Sequence, residues 1–160
     1  MTNVITPALR LQLLTTLGTT NAAYTFLDFV DAYKKEMYTR EGVSDAWIGT
    51  YRDYAWYPLV KTILHTSGAA PQKALDEVAE AVRAASKIII KLPFEPSEAL
   101  IRKLYQMFES VAGGCLLEFD VDKNISGGAR VFLNGKYLDS TVATRVQSYL
   151  NEPNAIDRLL

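Results

Sequence analysis

A chain of 160 residues, 49% of them hydrophobic, has room for one domain or two small ones and can bury a core without disulfide or metal staples. Its 17 basic and 18 acidic residues are evenly spread, 8 against 9 in residues 1–86 and 9 against 9 in residues 87–160. That balance excludes the basic surplus that binding to a nucleic-acid backbone requires, and it leaves no acidic tail.

The single cysteine, Cys115, excludes an intrachain disulfide and fits a reducing compartment. The opening MTNVITPALRLQLL lacks a basic stretch followed by a continuous apolar run, so it does not read as a signal peptide. No segment approaches the ~20 apolar residues that a membrane-spanning helix needs.

Residues 1–86 read as helical, in about four segments. Ala8, Leu9, Leu11, Leu13, Leu14 and Leu17 form a short apolar helix with Pro7 near its start, where a missing N–H is harmless. After Gly18, the residues Ala22, Ala23, Phe26, Leu27, Val30, Tyr33 and Met37 recur at threes and fours, the period of a longer helix. Glu41-Gly42 stops it, and Ser44 is placed to cap the next segment, which carries Trp47, Ile48, Tyr51, Ala55, Leu59, Val60, Ile63 and Leu64. Pro58 lies inside that segment and should kink or split it. A turn at 67–71 leads to an amphipathic helix holding Leu75, Val78, Ala79 and Val82.

The pattern changes at Lys87. Ile88, Ile89, Ile90 and Leu92 form a β-branched run closed by Pro93, a short buried strand. Pro96-Ser97 opens a helix with Leu100, Ile101, Leu104, Phe108 and Val111 on one face, ended by Gly113-Gly114. Cys115, Leu117, Phe119 and Val121 then alternate with Leu116, Glu118, Asp120 and Asp122, which predicts a half-buried strand with the first set inward. Two further strands, 129–133 and 136–138, flank Asn134-Gly135, a strong type I′ hairpin signal. Ser140 or Thr141 can cap a last helix with Val142, Val146, Tyr149 and Leu150, ended by Pro153. The predicted fold is therefore α+β: a helical bundle over 1–86, then a small α/β domain over 87–160 in the order β-α-β-β-β-α.

Candidate chemistry is sparse. Asp120, Asp122 and Asn124 have the alternate spacing of a calcium loop, but the glycine and the bidentate glutamate of that loop are replaced by Ile125 and Val131. Gly127-Gly128 lacks the flanking pattern of a phosphate cradle and precedes a strand, so it reads as a backbone bend. His65 ends a helix with no partner for acid–base work, and Cys115 points inward on its strand. No catalytic residue, cofactor site or metal site is assigned, and the chain is expected not to be an enzyme. The aromatic density at 47–57 is the stronger feature. Trp47, Tyr51 and Tyr54 share one face of the predicted helix with Pro58, while Trp56 and Tyr57 point elsewhere. That face is either core packing or an apolar patch for a partner helix.

The run VDKNISGGARVFLNGKYLDSTVATRVQSYL, residues 121–150, resembles the C-terminal signature of the delta subunit of F-type ATP synthases, called OSCP in mitochondria. The matching positions are Val121-Asp122, Ile125, Gly127-Gly128, Val131, Leu133, Asn134-Gly135, Asp139, Thr141-Val142 and Arg145-Val146. With the strand and helix that begin at Ile88, the resemblance covers residues 88–152. Residues 1–86 are shorter than the six-helix bundle of that family and do not match its opening helix.

The resemblance implies a stator connector of the peripheral stalk, without catalytic duty of its own. It implies two partners: the N-terminal helix of an alpha subunit for the helical half, and the C-terminus of the b-subunit stalk for the second half. The expected interface residues are Trp47, Tyr51 and Tyr54 for the first, and Leu100, Leu104 and Phe108, or the final segment Ala155 to Leu160, for the second. The expected location is the cytoplasmic face of a bacterial plasma membrane, or the matrix or stroma side in an organelle, held there only through the complex. A helical adaptor of another system with a delta-like C-terminal domain is the other reading.

Overall fold

The computed structural model describes residues 5–39, 43–68, 70–109, 113–133 and 135–145. The fold is mixed α+β, with a four-stranded mixed sheet. The described residues form two compact units: Met1–Ser86 with Phe108–Leu116, and Lys87–Met107 with Leu117–Leu160.

The first unit contains helices α1 (Pro7–Leu17), α2 (Thr20–Met37), α3 (Asp45–Gly49), α4 (Tyr57–Ser67) and α5 (Pro71–Ala84). Hydroxyls set three of the starts: Thr6 accepts from Leu9 N–H, Thr19 from Ala22 N–H and Ser44 from Trp47 N–H, at 3.2–3.3 Å. The long third helix of the sequence reading is divided. Its first part stops at Gly49, turns occupy 50–56, and α4 begins at Tyr57 with Pro58 in its first turn. Proline thus opens a helix there instead of bending one, because a first-turn N–H has no intrahelical partner to lose.

Helix α5 packs against α1, α2 and α4. It can do so because its buried face, Ala74, Leu75, Val78, Ala79 and Val82, alternates small and branched side chains. Phe26, Phe29, Val30, Trp56, Val60 and Ile63 close the core from α2, α4 and the turn before α4. Side chains of this size each contribute roughly 1.5–3 kcal/mol when fully buried. At the rim, Arg10 reaches Glu77 at 3.3 Å and Lys34 pairs with Asp76.

The second unit is built on strand β1 (Lys87–Leu92), helix α6 (Glu98–Glu109) and strands β2 (Leu116–Val121), β3 (Arg130–Leu133) and β4 (Lys136–Asp139). The strand order is β2-β1-β3-β4. Leu116 N–H donates to Ser86 O and Asp122 N–H to Leu92 O; the offset is the same at both ends, so β2 runs parallel to β1, with α6 as the connection between them. β1 pairs antiparallel with β3, and β3 with β4. Along β1, Ile88, Ile90 and Leu92 are buried while Ile89 and Lys91 are partly exposed. Residues 142–145 are helical. Asn134, the rest of the expected last helix and the segment from Ala155 to Leu160 lie outside the described residues.

Two expectations fail on β2, at Leu116 and at Val121. Leu116 was assigned to the outward set with Glu118, Asp120 and Asp122, yet it is 2% exposed and belongs to the helical core. Leu116 is the last residue of the segment that groups with the first unit, so its side chain is buried there. Val121, expected inward, is 39% exposed, and Glu118 and Phe119 are both partly exposed, so burial on β2 fades along the strand instead of alternating.

Candidate functional site

Asp122, Gly127, Gly128, Asp139, Thr141 and Val142 lie at one end of the sheet, while Gly135 sits at the other end of the β3–β4 hairpin. Asp122 follows β2 and turns the chain: its backbone carbonyl accepts from Ile125 N–H at 3.1 Å and its Oδ1 from Asn124 N–H at 3.0 Å. Ile125, 3% exposed, anchors the turn, whereas Val121 is 39% exposed.

Gly127 and Gly128 then pass directly beneath the end of the hairpin. Val142 N–H donates to Gly127 O and Ser140 N–H to Ala129 O, both at 2.9 Å. Gly128 has φ +84°, and a Cβ there would lie 2.3 Å from Ser140 O and 2.9 Å from Thr141 Cα. No other residue fits that crossing. At Gly127 a Cβ would come within 3.1 Å of the Val142 side chain.

Asp139 and Thr141 finish the junction. Asp139 Oδ1 accepts from Thr141 N–H at 2.9 Å, and Thr141 Oγ1 accepts from Thr144 N–H at 3.3 Å. Of the two candidate caps, Thr141 is the one that serves, and it is 2% exposed. The hydroxyl of Thr141, its N–H and the hydroxyl of Tyr137 together hold the Asp139 carboxyl far below the ordinary carboxylate range.

The residue that ties this region together, Arg130, was missed in the sequence. Its Nε donates to Asp139 Oδ2 and its Nη1 to Asp122 Oδ2, each at 3.2 Å. Tyr137 adds its O–H to the same Asp139 oxygen at 2.8 Å. Counting back from the turn would have found this pair, because a two-residue hairpin at 134–135 places residue 130 opposite 139. On the same strip Lys91 pairs with Asp120 at 3.0 Å. The acidic residues considered for calcium therefore hold protein cations and a backbone N–H. Asp122 is depressed first by the Asn124 N–H, then by the Arg130 and Lys91 charges. Among the described residues no group of three His, Cys, Asp or Glu side chains is arranged to hold a metal ion.

The aromatic residues at 47–57 occupy the other unit, and most of them face its interior. Trp47, Tyr51 and Tyr54 do not form a continuous helical face, because the helix ends at Gly49. Phe29 lies 5.9 Å from Trp47, 4.9 Å from Tyr51 and 5.1 Å from Trp56, ring centre to ring centre. Tyr54 stacks on Trp56 at 5.0 Å and is 42% exposed, whereas Trp56 is 2% exposed. Trp56, read from the sequence as pointing elsewhere, is thus the most deeply buried ring of 47–57, packed on Phe26, Phe29, Tyr51 and Tyr54.

An apolar groove of about 310 Å³ runs between α1 and α4, lined by Ile5, Ala8, Leu9 and Ile63 with Gln12 and Thr62 at its sides. A recess of about 150 Å³ joins Asp45, Ile48, Lys61, Leu64 and His65. On α6, Leu100, Leu104 and Phe108 are each half-buried, and none of the helix's residues is fully buried. Cys115 is 1% exposed, and burial pushes its thiol up.

No protein-family model matches the chain, and no curated protein is significantly similar to it.

Proposed function

We propose that this chain is a connector subunit of the peripheral stalk of an F-type ATP synthase, a delta-like protein that joins the catalytic head to the b-subunit stalk. The observation that supports the reading most is the convergence of its signature positions. Asp122, Gly127, Gly128, Asp139, Thr141 and Val142, spread over 21 residues, take part in one junction between sheet and helix start. That junction gives these positions the structural duties that the resemblance assigns to them. The finer order β-α-β-β-β-α, with the last helix completed beyond residue 145, belongs to the same proposal.

In this reading the work is mechanical. Helix-in-groove contacts resist torque, no bond is made or broken, and no cofactor is used. The alpha-subunit helix lies in the groove between α1 and α4, since Trp47 and Tyr51 are drawn into the core and only Tyr54 keeps substantial exposure. The b stalk meets the half-buried α6 face of Leu100, Leu104 and Phe108. No helix among the described residues is long and apolar enough to cross a membrane; in this reading the chain is held at the membrane's cytoplasmic face by the complex.

Co-expression with the alpha and b chains of the same genome tests the proposal. Co-purification with both is expected, and Leu9→Lys in the groove should abolish capture of alpha while leaving capture of b. Binding to neither chain sinks the stator reading. It would favour an adaptor of another system, to which the departure of residues 1–86 from the family's six-helix bundle also points.

A further inference from the structure

The pairing register sets a problem at the signature end of the sheet. Lys91 on β1 and Arg130 on β3 are direct cross-strand partners, and like charges in that relation repel. Three carboxylates surround them. Asp120 on β2 pairs with Lys91, Asp122 after β2 with one arm of Arg130, and Asp139 on β4 with the other, where Tyr137 shares the oxygen. A single row of charge thus crosses all four strands, with Arg130 the only member bonded to both sides of the sheet.

The same two carboxylates also hold backbone: Asp122 takes Asn124 N–H, and Asp139 takes Thr141 N–H. From Thr141 the chain of bonds continues to Thr144 N–H and Arg145 N–H, while Val142 N–H is fixed on Gly127. Loss of the guanidinium removes the one bond that joins the two carboxylates, leaving Asp122 to Asn124 N–H, Asp139 to Thr141 and Tyr137, and Lys91 to Asp120.

We propose that this row is a clasp, a single cooperative element whose closure depends on Arg130 and whose opening releases the backbone from Ser140 to Arg145 while the β1–β3 ladder stays paired. Arg130 is in this sense a positioning residue. The inference does not depend on the stator reading.

The sign of the pH dependence follows from the carboxylates. Their folded values are depressed, so their contribution is complete above the ordinary carboxylate value of about 4 and is lost as pH falls below it. Tyr137 is raised by its bond to Asp139, so its contribution is complete below about 10 and is lost as pH rises past it. Arg130 keeps its charge throughout.

Amide hydrogen exchange on the full chain tests the clasp, with Thr141, Val142, Thr144 and Arg145 as reporters and Ile88 to Ile90 as the ladder control. Arg130→Met should lower protection at the reporters by ~tenfold or more and leave the ladder within about twofold. Arg130→Lys, which keeps the charge but loses the fork, should recover only part of it. Unchanged reporters in Arg130→Met overturn the proposal. Should that variant lose protection everywhere, the unmodified protein decides by acid titration. Reporters that lose protection together below about pH 4, ahead of the ladder, support one clasp. Reporters with separate midpoints, or a loss only in step with the ladder, overturn it.

Discussion

The helical unit and the end of the sheet are held by opposite kinds of force. Around Phe29 the contacts are ring against ring, with Phe26, Tyr33, Trp47, Tyr51 and Trp56 all within 6.4 Å centre to centre. Around Arg130 they are hydrogen bonds with fixed donors and acceptors, made by side chains that keep some access to water. Apolar contact is non-directional and tolerates rearrangement, while a fork between two carboxylates is all geometry and charge. The first should therefore yield to loss of volume, and the second to loss of a single atom or proton.

Phe29→Ala is the largest blow to the helical side, an expected loss of about 3–5 kcal/mol in urea unfolding. The measurement is clean because the chain has two tryptophans, Trp47 and Trp56, and both report on the first unit. An equal loss of protection at Thr141 would break the contrast. Gly128→Ala comes next. A positive φ and a 2.3 Å approach to Ser140 O should cost about 1–3 kcal/mol by amide exchange at the junction, with little change in the fluorescence transition. Gly135→Ala sharpens it: the φ is also positive, but open space surrounds the site, so about 1 kcal/mol is expected. Thr141→Ala removes a cap and should cost ~1 kcal/mol locally. Smallest is Tyr38→Ser on an 81% exposed side chain, which should shift the fluorescence midpoint by less than about 0.5 kcal/mol.

The same contrast explains what could be read in advance. Local rules did well where one residue decides: Ser44 as a cap and Ser97 at the start of α6 needed only their neighbours. Helical periodicity found α2 and α5 because each buries one continuous stripe. It misjudged only 50–56, where aromatic spacing mimicked a helix across a run of turns, in a segment that Pro58 had marked for a split; Trp56 is buried by tertiary packing that no short window contains. Leu116 was misplaced for a related reason, since a period of two says which side a residue faces but not which core receives it. Arg130 was legible in principle from the hairpin register, which sets it opposite Asp139.

The grouping of Phe108–Leu116 with the helices has a consequence for synthesis. Leu116, part of the helical core, leaves the ribosome 30 residues after Ser86, a delay of roughly 1.5–6 s at ordinary elongation rates of about 5–20 residues per second. The nascent helices must wait that long with one face incomplete, and a fragment truncated after Ser86 would never fill it.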